Sequence, residues 1–384
     1  MGQPLTVGIV GCGAIAAQYL RTIGRLPQVR LVAVADLDPE RARATARPYP
    51  GVEALGVAEL IADPRIQVVL NLTVPAAHAE IALRAIAAGK DVYCEKPLAA
   101  TSQDARRVLE AAREAGVRVG CAPDTVLGTG TQTARAAIDD GLIGRPVAAT
   151  ATMMTPGHER WHPNPDFYYA PGGGPLLDMG PYYVSSLVTM LGPVSTVIGA
   201  AGRTRAKRTI GSGPRQGEEI PVTVDTHVTG VLVHESGALS TLVMSFDAVA
   251  TQAPNIEVHG EQGSLVVPDP NHFDGPVLLT RLGEDAAREL PVSAGYTEAG
   301  RGVGLIDFLS DREPRAGGTL AFHVLDVMES LLASAHAGRS VDVESTCERP
   351  ATVTLSNPAT RGQGASPRSQ PFLRSPSPPP NSCR

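Results

Sequence analysis

The sequence lacks a long apolar run, which argues against a helical membrane protein. No apolar stretch in the 384 residues approaches the ~18–20 residues that a helix needs to cross a bilayer. The opening residues, Met1 to Pro4, lead directly into an apolar segment without a basic region or a small-residue cleavage site. We therefore expect a cytoplasmic protein with no signal peptide and no membrane partner.

Cysteine and positive charge are also scarce. The five cysteines are an odd number, lie far apart and include no CxxC pair, so we expect reduced thiols rather than a disulfide framework or a zinc site. His227, His234 and His259 have no partner at metal-ligand spacing and are interpreted as structural. The net charge is −6, whereas a nucleic-acid-binding protein normally has a basic domain or stripe. We expect neither a bound metal nor a nucleic-acid partner.

The first 120 residues alternate short apolar segments with longer helical ones. Such alternation predicts βαβ units and a parallel sheet with helices on both faces. The predicted strands are residues 5–10, 29–35, 68–73, 92–94 and 117–121, and the predicted helices are residues 14–26, 77–88 and 102–115. We assign residues 1–122 to a Rossmann-type α/β domain.

The pattern changes after residue 122, where apolar and polar residues alternate as in half-buried antiparallel strands. The predicted strands are residues 222–229, 238–246, 256–259, 264–267 and 341–343, and the predicted helices are residues 131–140 and 320–336. The predicted fold class is therefore an α/β Rossmann domain followed, over residues 123–348, by an α+β domain with a large, open, mainly antiparallel sheet. Residues 357–384 are rich in Pro, Ser and Arg, which predicts a disordered tail.

A glycine-rich turn follows the first predicted strand and opens the first predicted helix. Its residues are Gly11, Cys12, Gly13, Ala14, Ile15 and Ala16. The glycines permit a tight turn and a close approach of the backbone to a pyrophosphate at the helix N-terminus. Asp36 ends the second strand, where a carboxylate accepts hydrogen bonds from a ribose 2′-hydroxyl and repels a 2′-phosphate. The pattern predicts NAD as the cofactor, with NADP as an alternative because Arg41 and Arg43 follow closely.

Two further motifs lie at the ends of predicted strands, which in a parallel sheet meet at the ligand-binding edge. Thr73, Pro75 and His78 follow the third strand and are assigned to cofactor binding, although His78 taken alone is more typical of a structural histidine. Glu95 and Lys96 follow the fourth strand and are also assigned to the cofactor site. Burial beside the cofactor is expected to reduce the basicity of Lys96 and to let it join proton transfer.

The order of these motifs resembles that of the Gfo/Idh/MocA oxidoreductases, whose members include glucose–fructose oxidoreductase and inositol dehydrogenase. The resemblance covers residues 5 to about 345, and its most specific part is Gly-Lys-Asp-Val-Tyr-Cys-Glu-Lys-Pro at residues 89–97. It implies a Rossmann domain joined to an antiparallel-sheet domain, with NAD(P)-dependent oxidation or reduction of a sugar or polyol carbon. It also implies that Lys96 is the catalytic lysine and that Glu95 supports it.

Three consecutive glycines at residues 172–174 precede Asp178 and Tyr182, and this segment resembles the family's GGG…DxGxH pattern. The spacing places Asp178 and Tyr182 on one helix face, and we expect Asp178 to orient the reacting group or a substrate hydroxyl. Tyr182 stands where many members have a histidine used in proton transfer. Either Lys96 lowers the pKa of Tyr182 toward phenolate, or Lys96 alone transfers the proton and Tyr182 binds a substrate hydroxyl. The second interpretation is slightly favoured.

Aromatic residues number only 15, and six of them fall within 23 residues around this segment. They are Trp161, Phe167, Tyr168, Tyr169, Tyr182 and Tyr183, interleaved with His158, Arg160, His162 and Asp166. Aromatic faces beside directional polar groups suit a sugar ring. We assign Trp161 and His162 to substrate binding together with Lys96, Asp178 and Tyr182. For Phe167 and Tyr169, an aromatic packing cluster is an equal alternative.

These features predict an NAD(P)-dependent dehydrogenase that transfers hydride between the nicotinamide and a carbinol of a sugar, polyol or inositol-like substrate. The catalytic residues would be Lys96, Tyr182 and Asp178. An NAD-dependent glycoside hydrolase of the same fold is the alternative, and a nucleotide-sensing regulator is less favoured because Glu95 and Lys96 are intact. A homo-oligomer is predicted through the open sheet, since an uncovered apolar sheet face needs a partner.

Overall fold

A computed structural model describes residues 3–359, and its first half is built around a parallel sheet of six strands. The strands are β1 (Leu5–Val10), β2 (Val29–Ala35), β3 (Glu53–Leu55), β4 (Val68–Asn71), β5 (Asp91–Cys94) and β6 (Val119–Cys121). The helices are α1 (Ala16–Ile23), α2 (Pro39–Ala46), α3 (Val57–Ala62), α4 (Pro75–Ala87) and α5 (Ser102–Ala115). The strand order β3-β2-β1-β4-β5-β6 reverses between β1 and β4, and ligands bind beyond the carboxyl ends of strands at such a reversal.

Local sequence signals account for the helix boundaries at this sheet. Pro75 begins α4, where its fixed φ suits a helix and its missing N–H is not needed. At the start of α5 the Thr101 hydroxyl accepts a hydrogen bond from the Asp104 N–H over 3.1 Å, a cap worth about 1 kcal/mol. Gly116 ends α5 with a left-handed φ of 68°. The predicted bounds of this helix are therefore confirmed.

The second half is built on a mainly antiparallel sheet. Its nine strands are β7 (Pro146–Met154), β8 (Val194–Gly202), β11 (His227–His234), β12 (Leu239–Ser245), β13 (Ile256–Gly260), β14 (Gly263–Val267), β15 (Leu278–Arg281), β16 (Arg288–Glu289) and β17 (Val341–Asp342). A separate two-stranded ribbon consists of β9 (Lys207–Thr209) and β10 (Glu219–Pro221). The strand order is β16-β15-β14-β13-β7-β12-β11-β8-β17, and β7 pairs with β12 in parallel.

Helices cover one face of this second sheet and leave the other open. They are α6 (Thr129–Asp139), α7 (Pro175–Leu191) and α8 (Gly318–Ala337). The approach of α8 is close, because a Cβ atom at Gly230 would lie 2.5 Å from the Leu331 Cδ1 atom. On the opposite face Ile198 and Leu239 remain 51% and 49% exposed. The predicted fold class, a Rossmann domain followed by a domain with an open sheet, is confirmed.

Some element predictions were wrong. The strand predicted at residues 222–229 begins only at His227. The preceding residues instead tie neighbouring loops together, with Val222 N–H donating to Ala206 O and Thr223 N–H donating to Tyr169 O. Five elements of the structure were not predicted: α2, α3, β3 and the long strands β7 and β8. β7 is rich in alanine and β8 ends in Gly-Ala-Ala-Gly, and both residue types are uncommon in strands.

The largest of three hydrophobic clusters runs through both halves of the molecule. It contains Val92 and Val108 from the first half and Leu187 and Leu331 from the second, all fully buried. Full burial of such a side chain stabilises the fold by roughly 1.5–3 kcal/mol. The shared core holds the carboxyl edge of the parallel sheet against α7. The predicted tail lies, from residue 360 onward, outside the described residues.

Residues 3–359 contain neither a membrane-spanning helix nor a metal-binding cluster of side chains. No helix there combines the length and apolarity needed to cross a membrane. No group of three or more His, Cys, Asp and Glu side chains is placed there to hold a metal ion. The strand histidines bond within the fold, with Nδ1 of His234 2.7 Å from Gly192 O and Nδ1 of His227 3.0 Å from Ser245 Oγ.

Candidate active site

The glycine-rich turn lies at the reversal point of the parallel sheet. Gly11 has a φ of 101°, and a Cβ atom there would lie 2.6 Å from the Leu72 carbonyl oxygen, so only glycine fits. At Gly13 no atom lies within 4 Å of an added Cβ, so this backbone faces open space just before α1. Such an open, glycine-lined helix start fits the pyrophosphate of a dinucleotide.

Asp36 is held at the end of β2 by the turn itself. Its Oδ2 atom accepts a hydrogen bond from the Cys12 N–H over 2.8 Å, and its Oδ1 atom accepts one from the Asp38 N–H over 2.9 Å. A carboxylate has about four lone-pair positions, so Asp36 can also accept from ribose hydroxyls. Arg41 lies 3.4 Å from Asp36, and Arg43 is paired with Glu40. Both arginines that suggested NADP therefore already have acidic partners.

The loop after β4 is fixed by buried polar contacts. The Thr73 hydroxyl donates to Asn71 Oδ1 over 2.7 Å. His78 is fully buried, with its ring nitrogens 2.6 Å from Pro97 O and 3.0 Å from Thr73 O. Burial lowers the pKa of His78. The ring thus lies between the β4 and β5 loops and can donate to one of the two carbonyl oxygens, and its role as a cofactor contact stays a prediction.

Glu95 fixes the turn that presents Lys96. One carboxylate oxygen of Glu95 accepts from the Tyr19 hydroxyl of α1, and the other accepts from the Lys96 N–H, both over 2.8 Å. Glu95 is buried, so its side chain positions the backbone of Lys96 relative to α1. The Glu95 carboxylate therefore connects α1, the helix after the glycine-rich turn, to the loop that carries Lys96.

Lys96 and Asp178 form a largely buried ion pair between the two halves of the chain. The Lys96 ammonium donates to Asp178 Oδ1 over 3.0 Å and to Asp178 O over 2.6 Å. Burial opposes the charge, but Asp178, Tyr182 and Glu95 together raise the pKa of Lys96 above its usual range. Burial likewise favours neutral Asp178, yet Lys96 and His158 lower its pKa to about 2. The expectation that Lys96 loses basicity is therefore wrong, and both groups are charged at neutral pH.

Tyr182 lies one turn after Asp178 on α7, as its spacing predicted. The Lys96 Nζ atom is 5.4 Å from the centre of its ring, and the Arg301 guanidinium is 5.2 Å from the same centre. Burial raises the pKa of Tyr182 in spite of these two cations. A neutral tyrosine that binds a substrate hydroxyl therefore fits this site better than a phenolate does.

His158 lies on the other side of Asp178 and was missed as a site residue by the sequence analysis. Its Nε2 atom is 3.2 Å from Asp178 Oδ2. Nothing in the sequence pairs the two residues, because His158 belongs to the loop after β7 and Asp178 to α7. Arg301 was missed for the same reason. Only the fold brings these side chains to Lys96 and Tyr182.

Aromatic rings form a wall beside His158. Trp161 is 58% exposed, and its ring centre lies 5.2 Å from that of His158 and 5.3 Å from that of His162. Phe167 is similarly exposed and packs on Tyr168. Tyr169 is fully buried instead, and its hydroxyl donates to Glu159, as a packing residue does. Trp161 therefore lies at an open surface beside His158, with His162 next to it.

A dinucleotide-binding parallel sheet, with a lysine–aspartate pair at its carboxyl edge, defines an oxidoreductase of the nicotinamide-dependent class. Comparison with known proteins supports this class. Residues 5–122 match a family described as "Oxidoreductase family, NAD-binding Rossmann fold", and residues 131–266 match the GFO/IDH/MocA C-terminal domain. The chain therefore belongs to the Gfo/Idh/MocA oxidoreductases, with the NAD-binding Rossmann domain of that family.

Three similar proteins match different shares of this chain and of their own length. A 1,5-anhydro-D-fructose reductase from Ensifer adhaerens is 31% identical over 67% of this chain and 74% of its own length. An inositol 2-dehydrogenase from Ralstonia nicotianae is 38% identical, but the match spans only 40% of this chain and 46% of the relative. A crystal structure of an NAD-binding oxidoreductase from Klebsiella pneumoniae has a TM-score of 0.77 at 26% identity, over 88% of this chain and 99% of that one.

Proposed function

We propose that this protein is an NAD-dependent dehydrogenase that interconverts a carbinol and a carbonyl on a sugar, polyol or inositol-like substrate. The observation that carries the proposal is the Lys96–Asp178 ion pair, at the carboxyl edge of the same sheet that holds the glycine-rich turn. The named relatives, an anhydro-sugar reductase and an inositol dehydrogenase, support this substrate class. Trp161 and His162 offer an aromatic face and a polar ring to a carbohydrate.

NAD is the preferred cofactor. When bound, it accepts hydride from the carbinol carbon or returns hydride to the carbonyl carbon. The turn at Gly11 and Gly13 would hold the pyrophosphate, and Asp36 would accept hydrogen bonds from the adenosine ribose. Asp36 also repels a 2′-phosphate, while Arg41 and Arg43 are engaged by acidic side chains.

Lys96 would act at the reacting oxygen. An ammonium has three N–H donors, and two of those of Lys96 point to Asp178 O and Oδ1, so the third is left for the substrate. In reduction, the ammonium donates a proton to the carbonyl oxygen as hydride arrives. Oxidation is the reverse step, and it requires that Lys96 first release a proton to solvent, so that its neutral amine can take the hydroxyl proton. Tyr182 binds a neighbouring hydroxyl, and Asp178 fixes the direction of Lys96.

The proposal is tested by a panel of aldoses, polyols and inositols with NAD⁺ and with NADP⁺. We expect NADH absorbance to appear with one substrate group and to exceed the NADPH signal. Release of an aglycone from aryl glycosides without net NADH would instead identify an NAD-dependent glycoside hydrolase. Tight NAD⁺ binding without turnover of any substrate would identify a nucleotide-sensing regulator.

We also propose a cytoplasmic homo-oligomer assembled through the open sheet face. A row of uncharged side chains crosses four adjacent strands there, because Ile198 pairs with Val231, Val231 with Thr241, and Thr241 with Thr150. An uncovered sheet face of this kind can pack against the same face of a second copy in a symmetric dimer. The four described cysteines are free thiols, which suits a reducing compartment.

The substitution Thr241→Arg tests this assembly. Thr241 is exposed at the centre of the row, so an arginine there is tolerated in the monomer but places like charges opposite each other in a symmetric dimer. Light scattering after gel filtration should give a smaller mass than that of the wild type. Thr209→Arg, at an exposed position of the separate ribbon, serves as control and should keep the wild-type mass. A monomeric wild type, or an unchanged mass for Thr241→Arg, contradicts the assembly.

A further inference from the structure

We propose that His158 is a positioning residue for the Lys96–Asp178 pair. The inference rests on the proposed dehydrogenase function, because it concerns the same lysine. It gives a role to a side chain from a different structural element, the loop after β7. Its basis is the arrangement of His158 around Asp178 and the buried contacts that hold its loop.

Asp178 bridges the two basic side chains with separate oxygens. Its Oδ1 atom accepts from Lys96 over 3.0 Å, and its Oδ2 atom lies 3.2 Å from His158 Nε2. A carboxylate that is ionised can only accept, so the Nε2 atom is the one that carries a proton. The imidazole therefore donates to the oxygen that faces away from Lys96.

The surroundings of His158 leave its ring little freedom. Ring centres of Phe246, Tyr168 and Trp161 lie 4.4, 4.7 and 5.2 Å from its own. The Nδ1 atom is buried and has no hydrogen-bond partner among the residues that the structure describes. Buried polar atoms are nearly always bonded, so an exception needs an explanation. Here the aromatic wall fixes the ring for the contact that its Nε2 edge makes with Asp178.

A buried polar network anchors the loop that carries His158. The His158 N–H donates to the Tyr169 hydroxyl over 3.1 Å, and that hydroxyl donates to Glu159. The Arg208 guanidinium, 1% exposed, donates to Glu159 over 2.9 Å and to the Pro156 carbonyl over 3.1 Å. Packing and hydrogen bonds of this kind hold a functional side chain in one geometry.

His158 determines how many hydrogens of the Lys96 ammonium the Asp178 carboxylate can accept. While His158 occupies Oδ2, the carboxylate meets Lys96 with Oδ1 alone, and the third ammonium hydrogen stays available for the reacting oxygen. Without His158, the carboxylate is free to rotate and to bring Oδ2 to that hydrogen. The substrate would then bind with little change, while the proton transfer would be misaligned.

The kinetic test compares His158→Phe with His158→Gln in the full 384-residue chain. Phenylalanine fills the aromatic space but cannot donate, so we expect kcat to fall by about 10–100-fold, the size of effect that a small misplacement produces. We expect KM, NADH binding by fluorescence titration and the thermal unfolding midpoint to stay near wild-type values. Glutamine, whose amide places an N–H donor near the Nε2 position, should restore most of kcat.

A second measurement needs no turnover. In protein labelled with ¹⁵N-histidine, NMR should show His158 protonated on Nε2, and Asp178→Ala should shift that resonance. A wild-type kcat for His158→Phe, or protonation of His158 on Nδ1 alone, would overturn the inference. A wild type that oxidises or reduces no substrate would overturn the proposed function instead, and the NMR result would still decide whether His158 is paired with Asp178.

Discussion

Replacement of Lys96 by methionine should lower kcat by about 10²–10⁴-fold, the usual contribution of a positioned proton donor or acceptor. Methionine keeps the length of the side chain but removes the N–H that meets the reacting oxygen. NADH binding should remain close to that of the wild type, because Glu95 and the turn at Gly11 and Gly13 are unchanged. The measurement is steady-state turnover with the best substrate of the panel, together with NADH fluorescence titration.

Lys90→Met is the matched control for this substitution. Lys90 precedes the same strand, β5, but at its opposite end, where its ammonium donates to Asp63 O and Ile66 O over 2.8 and 2.7 Å. Its loss should reduce stability and leave kcat unchanged. Undiminished turnover in Lys96→Met would remove Lys96 from the chemistry, and equal losses in both variants would indicate a general effect of removing a partly buried lysine.

Of the substitutions considered, Arg208→Met should reduce the free energy of unfolding most, by about 3–5 kcal/mol. The guanidinium is almost completely buried and pairs with both Glu159 and Asp247. Its removal leaves two carboxylates in the interior without a counter-charge, and that desolvation cost is not recovered elsewhere. Urea unfolding monitored by circular dichroism measures the change.

Lys207→Met, at the neighbouring residue of β9, is the control for this substitution. Lys207 pairs with Glu219 across β9 and β10, but its side chain is 65% exposed, so water replaces the contact at little cost. Lys207→Met should therefore unfold at nearly the wild-type urea concentration. If Arg208→Met did the same, the buried network would not anchor the loop of His158.

Most of the candidate site residues in the parallel-sheet domain could be predicted from the sequence. Gly11, Gly13, Asp36 and Lys96 lie at the ends of strands, and the alternation of strands and helices alone brings those ends to one edge. The i, i+4 spacing placed Asp178 and Tyr182 together for the same reason, since helix geometry is local. The predictable part of the site is therefore the part whose placement depends on short-range periodicity in the sequence.

The remaining part of the site depends on contacts that no spacing encodes. His158 meets Asp178, and Arg301 meets Tyr182, only after the loop following β7 and the segment before α8 have packed against α7. The charge state of Lys96 was also misjudged. Burial alone would lower its pKa, but the carboxylate of Asp178 outweighs burial, and the distance between the two groups is a property of the fold.

His78 shows a limit of local sequence. Its position after β4, beside Thr73 and Pro75, predicts a cofactor contact, whereas the fold also buries its ring between the carbonyl oxygens of Pro97 and Thr73. A buried histidine and a ligand-binding histidine have the same local sequence. They differ in whether carbonyl oxygens of other segments reach the ring, which sequence spacing does not reveal.

Transfer of deuterium tests the central claim most directly. The active carbohydrate of the panel, deuterated at its carbinol carbons, is incubated with the enzyme and NAD⁺, and the NADH is analysed by mass spectrometry. The proposed function predicts that deuterium from the substrate appears in the NADH and that Lys96→Met forms this labelled product far more slowly. NADH without deuterium, or substrate consumed without NADH, would contradict it.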